Sequence, residues 1–244
     1  MLHDTLDAAH DPMGAAIQDF FLNGRADKLR VLSSMFEEDE MPVDYLFRTR
    51  EEMPELEQKA LSLAKGKVLD VGAGAGCHAL ALQESGLCVK AIDISPLSCG
   101  VMQKRGIGDV ECRNLFDADL QQGYDTILLL MNGTGIAGRL QKLPLLLNRL
   151  SVLLNDDGQV LVDSSDLKYI FETEDGFDMD TAKEYYGEVD YKMKYKGIEG
   201  KSFDWLYVDY PRLNKAATAC GFKCEIVSEG AHYDYLASLK KQRH

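Results

Sequence analysis

Hydrophobic positions change their period twice along the chain. Up to about residue 65 they recur at helical spacing with one extended interruption. Asp11 followed by Pro12 reads as an N-cap and first-turn pair, Ile17, Phe20 and Phe21 give the helix behind them one apolar face, and Gly24 closes it. A second short helix is predicted over 26–37, after which the run 37–53 loses periodicity. Pro54 then opens a helix with Leu56, Ala60 and Leu63 on one stripe, and Gly66 stops it.

From Lys67 the pattern becomes strand and helix in alternation. Strands are predicted at 67–71, 88–93, 110–113, 125–131 and 159–163, with helices at 77–85 and 96–104 and a long leucine stripe from Leu140 to Leu154. Strands that are apolar on both faces and alternate with helices imply a parallel sheet covered on both sides, and right-handed crossovers make it doubly wound. Period 2 appears in the last third. Tyr185, Val189, Tyr191, Met193 and Tyr195 alternate with charged positions, a strand with one wet face whose partner lies at 202–209. A helix at 211–220 precedes strands 222–228 and 233–239, which read as an antiparallel hairpin at the sheet edge. The expected α/β architecture is a mostly parallel seven-stranded sheet with that hairpin. A helical cap or lid would span 1–65, and the main domain 66–244 would carry an inserted β-hairpin at about 185–209.

At 244 residues the chain can bury roughly 70–75% of its unfolded surface, so it needs no staples. The formal net charge of −13 disfavours a long nucleic-acid partner, although Lys192, Lys194 and Lys196 leave room for a local basic patch. Cys77, Cys88, Cys99, Cys112, Cys220 and Cys224 lie scattered among apolar neighbours, as expected of small buried side chains in a reducing compartment. Neither they nor the five histidines show metal-ligand spacing, so no metal is expected. The first residues lack an export signal, and the longest apolar runs, such as 127–131, are too short to span a bilayer. The cytosol is the expected location, with no membrane partner; the oligomeric state is not legible.

The most informative residues run from Asp70 through Gly72, Ala73 and Gly74 to Gly76, between a strand and a helix. Glycines there let the backbone turn sharply and let a ligand come close. The helix behind presents unpaired N–H groups and a partial positive charge, suited to a carboxylate or phosphate. Asp93 ends the next strand, where its carboxylate can accept hydrogen bonds from both hydroxyls of a ribose. Two cofactor classes fit. The dinucleotide fingerprint would put Gly or Ala where the chain has Cys77, and it does not ask for an acid at position 70.

In VLDVGAGAG and AIDIS the sequence resembles the class I S-adenosylmethionine-dependent methyltransferases, whose first motif is strand, acid and G-x-G-x-G turn and whose second is an acid ending the next strand. The likeness covers about 65–163 and 211–240. It implies S-adenosyl-L-methionine as cofactor, held by Asp70, Gly72, Ala73, Gly74 and Asp93. It also implies Asn114 near the adenine amine, Ile94 and Leu115 on either side of the ring, and Asn132 where methyl donor and acceptor meet. The chain departs from the family's amide and adenine methylating groups. It has MNGTGIAG after the fourth strand in place of an Asn-Pro-Pro-Tyr type tetrapeptide, so Asn132 either positions an acceptor or belongs to a plain turn.

Asp163, Ser164 and Asp166 end the fifth strand, in the layer of a general base or as a cap, and Asn132 with Asp166 are the candidate catalytic residues. His78 beside the turn reads as a packing or helix-terminus residue. Tyr45, Arg48 and Arg50 from the extended segment, and Trp205 from the inserted hairpin, are the candidate acceptor contacts. The acidic surface and added elements favour a small-molecule acceptor, with a protein second and an RNA third. A nicotinamide oxidoreductase and a non-catalytic cofactor-binding subunit are the competing classes.

Overall fold

The computed structural model describes residues 5–173, 176–177 and 185–242; His3 and His244 lie outside them. Helix α1 (Pro12–Asn23) starts where Asp11 accepts the N–H of Gly14 at 2.8 Å and ends at Gly24, which is left-handed at φ +67°. Strands β1 (Leu29–Leu32) and β2 (Asp39–Met41) follow, then two 3-10 turns and helix α2 (Glu55–Leu63). The alternating region is β3 (Lys67–Val71), α3 (Cys77–Glu84), β4 (Cys88–Asp93), α4 (Pro96–Lys104), β5 (Asp109–Cys112), β6 (Tyr124–Leu129), α5 (Leu143–Leu153) and β7 (Leu154–Ser165). A two-residue pair, β8 (Glu172–Thr173) and β9 (Gly176–Phe177), precedes β10 (Glu188–Tyr195), β11 (Ile198–Glu199) and β12 (Phe203–Leu206). Helix α6 (Tyr210–Ala219), β13 (Phe222–Glu229) and β14 (Asp234–Lys241) complete the chain.

Seven strands form the main sheet in the order β13-β14-β7-β6-β3-β4-β5. The five from β7 to β5 are parallel, while β14 runs antiparallel to both β7 and β13, as the terminal hairpin predicts. Apolar layers cover both faces. Leu146, Leu147 and Leu150 of α5 and Leu213 of α6 pack on one, and Leu61, Leu82 and Met102 of α2, α3 and α4 on the other. Each such side chain stabilises the fold by about 1.5–3 kcal/mol. The topology leaves every parallel strand's carboxyl end on one edge, the layer in which a ligand of an open α/β sheet is held. No helix among the described residues is long and apolar enough to cross a membrane.

One element differs in kind from expectation. The stretch 26–37 holds strand β1, which pairs antiparallel with β10 in the register Leu29↔Tyr195 to Leu32↔Lys192. Leu29 and Val31 satisfy period 2 as well as a helical stripe, and the open edge of β10 supplies the backbone partners that decide between them. The inserted hairpin therefore joins a second sheet, β11-β10-β1-β2 with β12 on β10, and α1 packs on α4. Two further expectations change. Cys88 and Cys112 are exposed, whereas Cys77, Cys99 and Cys224 are buried. The basic patch is neutralised, since Lys192 and Lys194 both pair with Glu199, and Lys196 pairs with Asp19 and Asp27.

Candidate active site

The glycine turn leaves β3 beneath the carboxyl end of β4, where the N–H groups of Gly72 and Ala73 both donate to the Ile92 carbonyl. Gly74 is left-handed at φ +57°, and a Cβ built on it meets nothing within 4 Å. The turn is thus open on the side a ligand would approach. Asp93 closes it from the next strand. Its Oδ2 accepts the Gly74 N–H and its Oδ1 the Ser95 N–H, both at 2.8 Å. Burial, with Asp11 and Asp70 adding like charge, pushes this carboxyl up to about 6 against those two backbone bonds.

Asp70 is 2% exposed, and its Oδ2 has no hydrogen-bond partner among the described residues. Buried polar atoms are nearly always satisfied, so an orphan oxygen next to an open glycine turn marks a place for a donor from outside the chain. Burial raises the Asp70 carboxyl, and the charge of His78 opposes that. Two buried carboxyl groups and an open turn before a helix N-terminus thus meet at the carboxyl edge of the sheet.

After β5, Asn114 Oδ1 accepts the Phe116 N–H at 2.9 Å, so the side chain has its amide N–H groups left to donate. Ile94 is exposed. Leu115 is buried in the core with Leu120 and Leu143. The N-terminal segment reaches this end too. Ser95 Oγ donates to the buried Asp11, and the Leu6 N–H donates to the Ile94 carbonyl at 2.8 Å.

Where β6 ends, Met131 and Asn132 are both left-handed, at φ 64° and 58°, an arrangement two consecutive non-glycine residues adopt only when their surroundings hold them. What holds them is Asp163 at the end of β7, which accepts the N–H groups of Met131 at 3.2 Å, Asn132 at 2.8 Å and Gly133 at 3.4 Å. Burial still pushes the Asp163 carboxyl up to about 7. Ser165 Oγ donates to Asn132 Oδ1 at 2.9 Å, which fixes the amide plane. Asp166 Oδ1 accepts the Tyr186 hydroxyl at 2.8 Å and the Lys168 N–H at 2.9 Å.

Beyond Ser165 opens a cavity of about 390 Å³. Phe36, Leu167, Ile170, Tyr169, Tyr191 and Tyr207 form its apolar and aromatic wall. Ser165, His232 and Asp234 are its polar lining. Tyr191 and Tyr207 share a hydrogen bond of 2.9 Å, and burial raises both phenols, so they stay neutral. Tyr45, Arg48, Arg50 and Trp205 are not among the residues that line this cavity. Trp205 rests on the turn after β6, leaving no room for a Cβ on Gly135. Arg50 donates to Ser85 at the far end of α3, away from the glycine turn. Arg48 is buried and spends its donors on Glu57 and the Tyr45 carbonyl, with its guanidinium 4.0 Å from the Tyr45 ring centroid. Sequence reasoning missed Glu57. The available signal was its place on the buried face of α2 with Leu56, Ala60 and Leu61, where a glutamate needs a partner.

No family model matches the sequence, and no curated protein does. Among solved structures, an S-adenosylmethionine-dependent methyltransferase from Bacteroides fragilis in complex with S-adenosyl-L-homocysteine is 55% identical, covers 100% of both chains and superposes with a TM-score of 0.94. The sugar N-methyltransferase KedS8 from Streptoalloteichus sp ATCC 53650 is 16% identical over 83% of this chain and 94% of its own, at a TM-score of 0.59. The CcbJ methyltransferase from Streptomyces caelestis is 15% identical over 95% and 98%, at 0.61. At such identities the last two show a shared fold.

Proposed function

The chain belongs to the S-adenosylmethionine-dependent methyltransferases, and we propose that the acceptor of its methyl group is a small molecule held in the cavity at the end of β7. The observation that carries this reading is the join between cavity and strand end: Ser165 lines the one and hydrogen-bonds Asn132 at the other. A volume of about 390 Å³ suits a metabolite-sized molecule, and mixed aromatic and polar walls suit its ring and its hydroxyl or amine groups. A protein acceptor is the second reading. RNA is disfavoured by the net charge and by the pairing of Lys192, Lys194 and Lys196 with acids.

In this proposal Asp93 takes the ribose hydroxyls, Asp70 the ammonium, the glycine turn and the α3 N-terminus the carboxylate, and Asn114 with Ile94 the adenine. Bound there, the cofactor supplies a methyl group on a sulfonium that departs as a neutral thioether. The protein's share is alignment and exclusion of water, an effect worth several kcal/mol. Asn132, locked by Ser165 and by its own strained backbone, positions the oxygen or nitrogen of the acceptor. Asp166, whose Oδ2 carries no hydrogen bond among the described residues, takes the acceptor's proton. Release of S-adenosylhomocysteine tests the reading. It is expected with the ultrafiltrate of a cell extract and not with its protein or RNA fractions; turnover confined to a macromolecular fraction would overturn it.

A further inference from the structure

Behind the glycine turn lies a buried run of alternating charges assembled from four separate segments. Arg48, Glu57 and His78 are each 5% exposed, and Asp70 2%. Arg48 Nε and Nη2 stand 3.1 and 2.5 Å from Glu57 Oε2, and the same oxygen is 2.7 Å from His78 Nε2. His78 acts in turn on Asp70, which also accepts the Ala79 N–H. Cation, anion, cation and anion thus follow one another from the 3-10 segment through α2 and α3 to β3. The run ends on the Oδ2 of Asp70, which has no hydrogen-bond partner among the described residues, beside the open turn.

The order of charges explains how a fully buried carboxylate is kept usable. Burial alone would strip the proton from His78, but Cys77, Glu57 and Asp70 outweigh it and raise the imidazole well above its ordinary value. Burial raises the Asp70 carboxyl; a protonated His78 opposes that more strongly than the direct charge of Glu57 adds to it. Glu57 stays charged because His78 and Arg48 together overcome its own burial. We infer that Glu57, acting through the charge of His78, keeps Asp70 able to take the α-ammonium of the bound cofactor, with Arg48 anchoring Glu57. Glu57 and His78 are positioning residues for the cofactor; neither touches the reacting atoms. The inference rests on the cofactor placement given above.

The test is a calorimetric titration of the intact protein and Glu57→Gln with two ligands. One is S-adenosylhomocysteine; the other is its deamino analogue, in which hydrogen replaces the α-amino group. Loss of one charge-assisted contact is expected to weaken S-adenosylhomocysteine about tenfold in the variant and to leave the analogue unchanged. Equal weakening of both ligands, or of neither, overturns the inference while the cofactor placement stands. An unaltered protein that binds the two ligands equally overturns the placement of the ammonium at Asp70 as well. Should Glu57→Gln fail to fold, nitrogen NMR of the His78 imidazole in the unaltered protein decides. It is expected still protonated at a pH where an ordinary histidine has lost its proton, and a neutral ring there overturns the inference.

Discussion

Asp93 carries two obligations that pull its proton in opposite directions. In the proposed site it meets the ribose hydroxyls of the cofactor as a carboxylate, while burial beside Asp11 and Asp70 pushes the group up to about 6. Binding must then expel a proton below that value, so the dissociation constant of S-adenosylhomocysteine is expected to rise about tenfold per pH unit below 6. Asp93→Asn should flatten that slope and remove most of the affinity. Calorimetry across this range checks both, and a flat profile in the unaltered protein contradicts the assignment. Asp163 serves the backbone. Asp163→Ala orphans the N–H groups of Met131, Asn132 and Gly133, at an expected cost of about 2–4 kcal/mol in urea unfolding. Asp163→Asn, which keeps one acceptor oxygen, should cost less.

Among elements, the glycine turn divides its work between fold and ligand. Gly76 is left-handed at φ +81°, and a Cβ there would collide with Ile107 and stand 2.9 Å from Met102 Cγ. Gly76→Ala should therefore destabilise the fold by about 2–4 kcal/mol, the sum of overpacking and backbone strain. Gly74 meets no neighbour, so Gly74→Ala should cost only about 1–2 kcal/mol of strain but obstruct the approaching cofactor. Parallel unfolding and S-adenosylhomocysteine titrations separate the two. If Gly74→Ala lost more stability than Gly76→Ala, this division would be wrong. The pairing of β1 with β10 is the other lesson at this scale. The segment 26–37 carries a pattern compatible with either period, and a strand more than a hundred residues later selects one.

For the molecule as a whole, the raised groups act together on stability. Asp93, Asp163 and His78 all hold their protons more tightly folded than unfolded. Their contribution is complete below the unfolded values and is lost as pH rises through the folded ones, about 6 for Asp93 and about 7 for Asp163. The melting temperature of the ligand-free protein should therefore fall between about pH 5.5 and 8. Stabilisation by S-adenosylhomocysteine should grow as pH rises to about 6 and level off above it, if the cofactor binds the ionised Asp93 as proposed. Differential scanning calorimetry checks both trends, and a melting temperature that climbs through that range would refute the first.

What the sequence by itself determined is what neighbours along the chain enforce. Asp11 and Gly24 bound α1 through local caps, the apolar runs become the parallel strands, and Asp70, the glycines and Asp93 stand where strand meets turn. Those outcomes follow from backbone geometry and periodicity within a few residues. What only the tertiary structure decided involves partners far apart in sequence. Arg48 turned inward to Glu57, Arg50 went to the far end of α3, Leu115 entered the core and Trp205 settled on Gly135. The cavity draws on residues from Phe36 to Asp234. A buried charge or an aromatic ring takes the place where its partner lies, and packing brings that partner near only once the chain has folded.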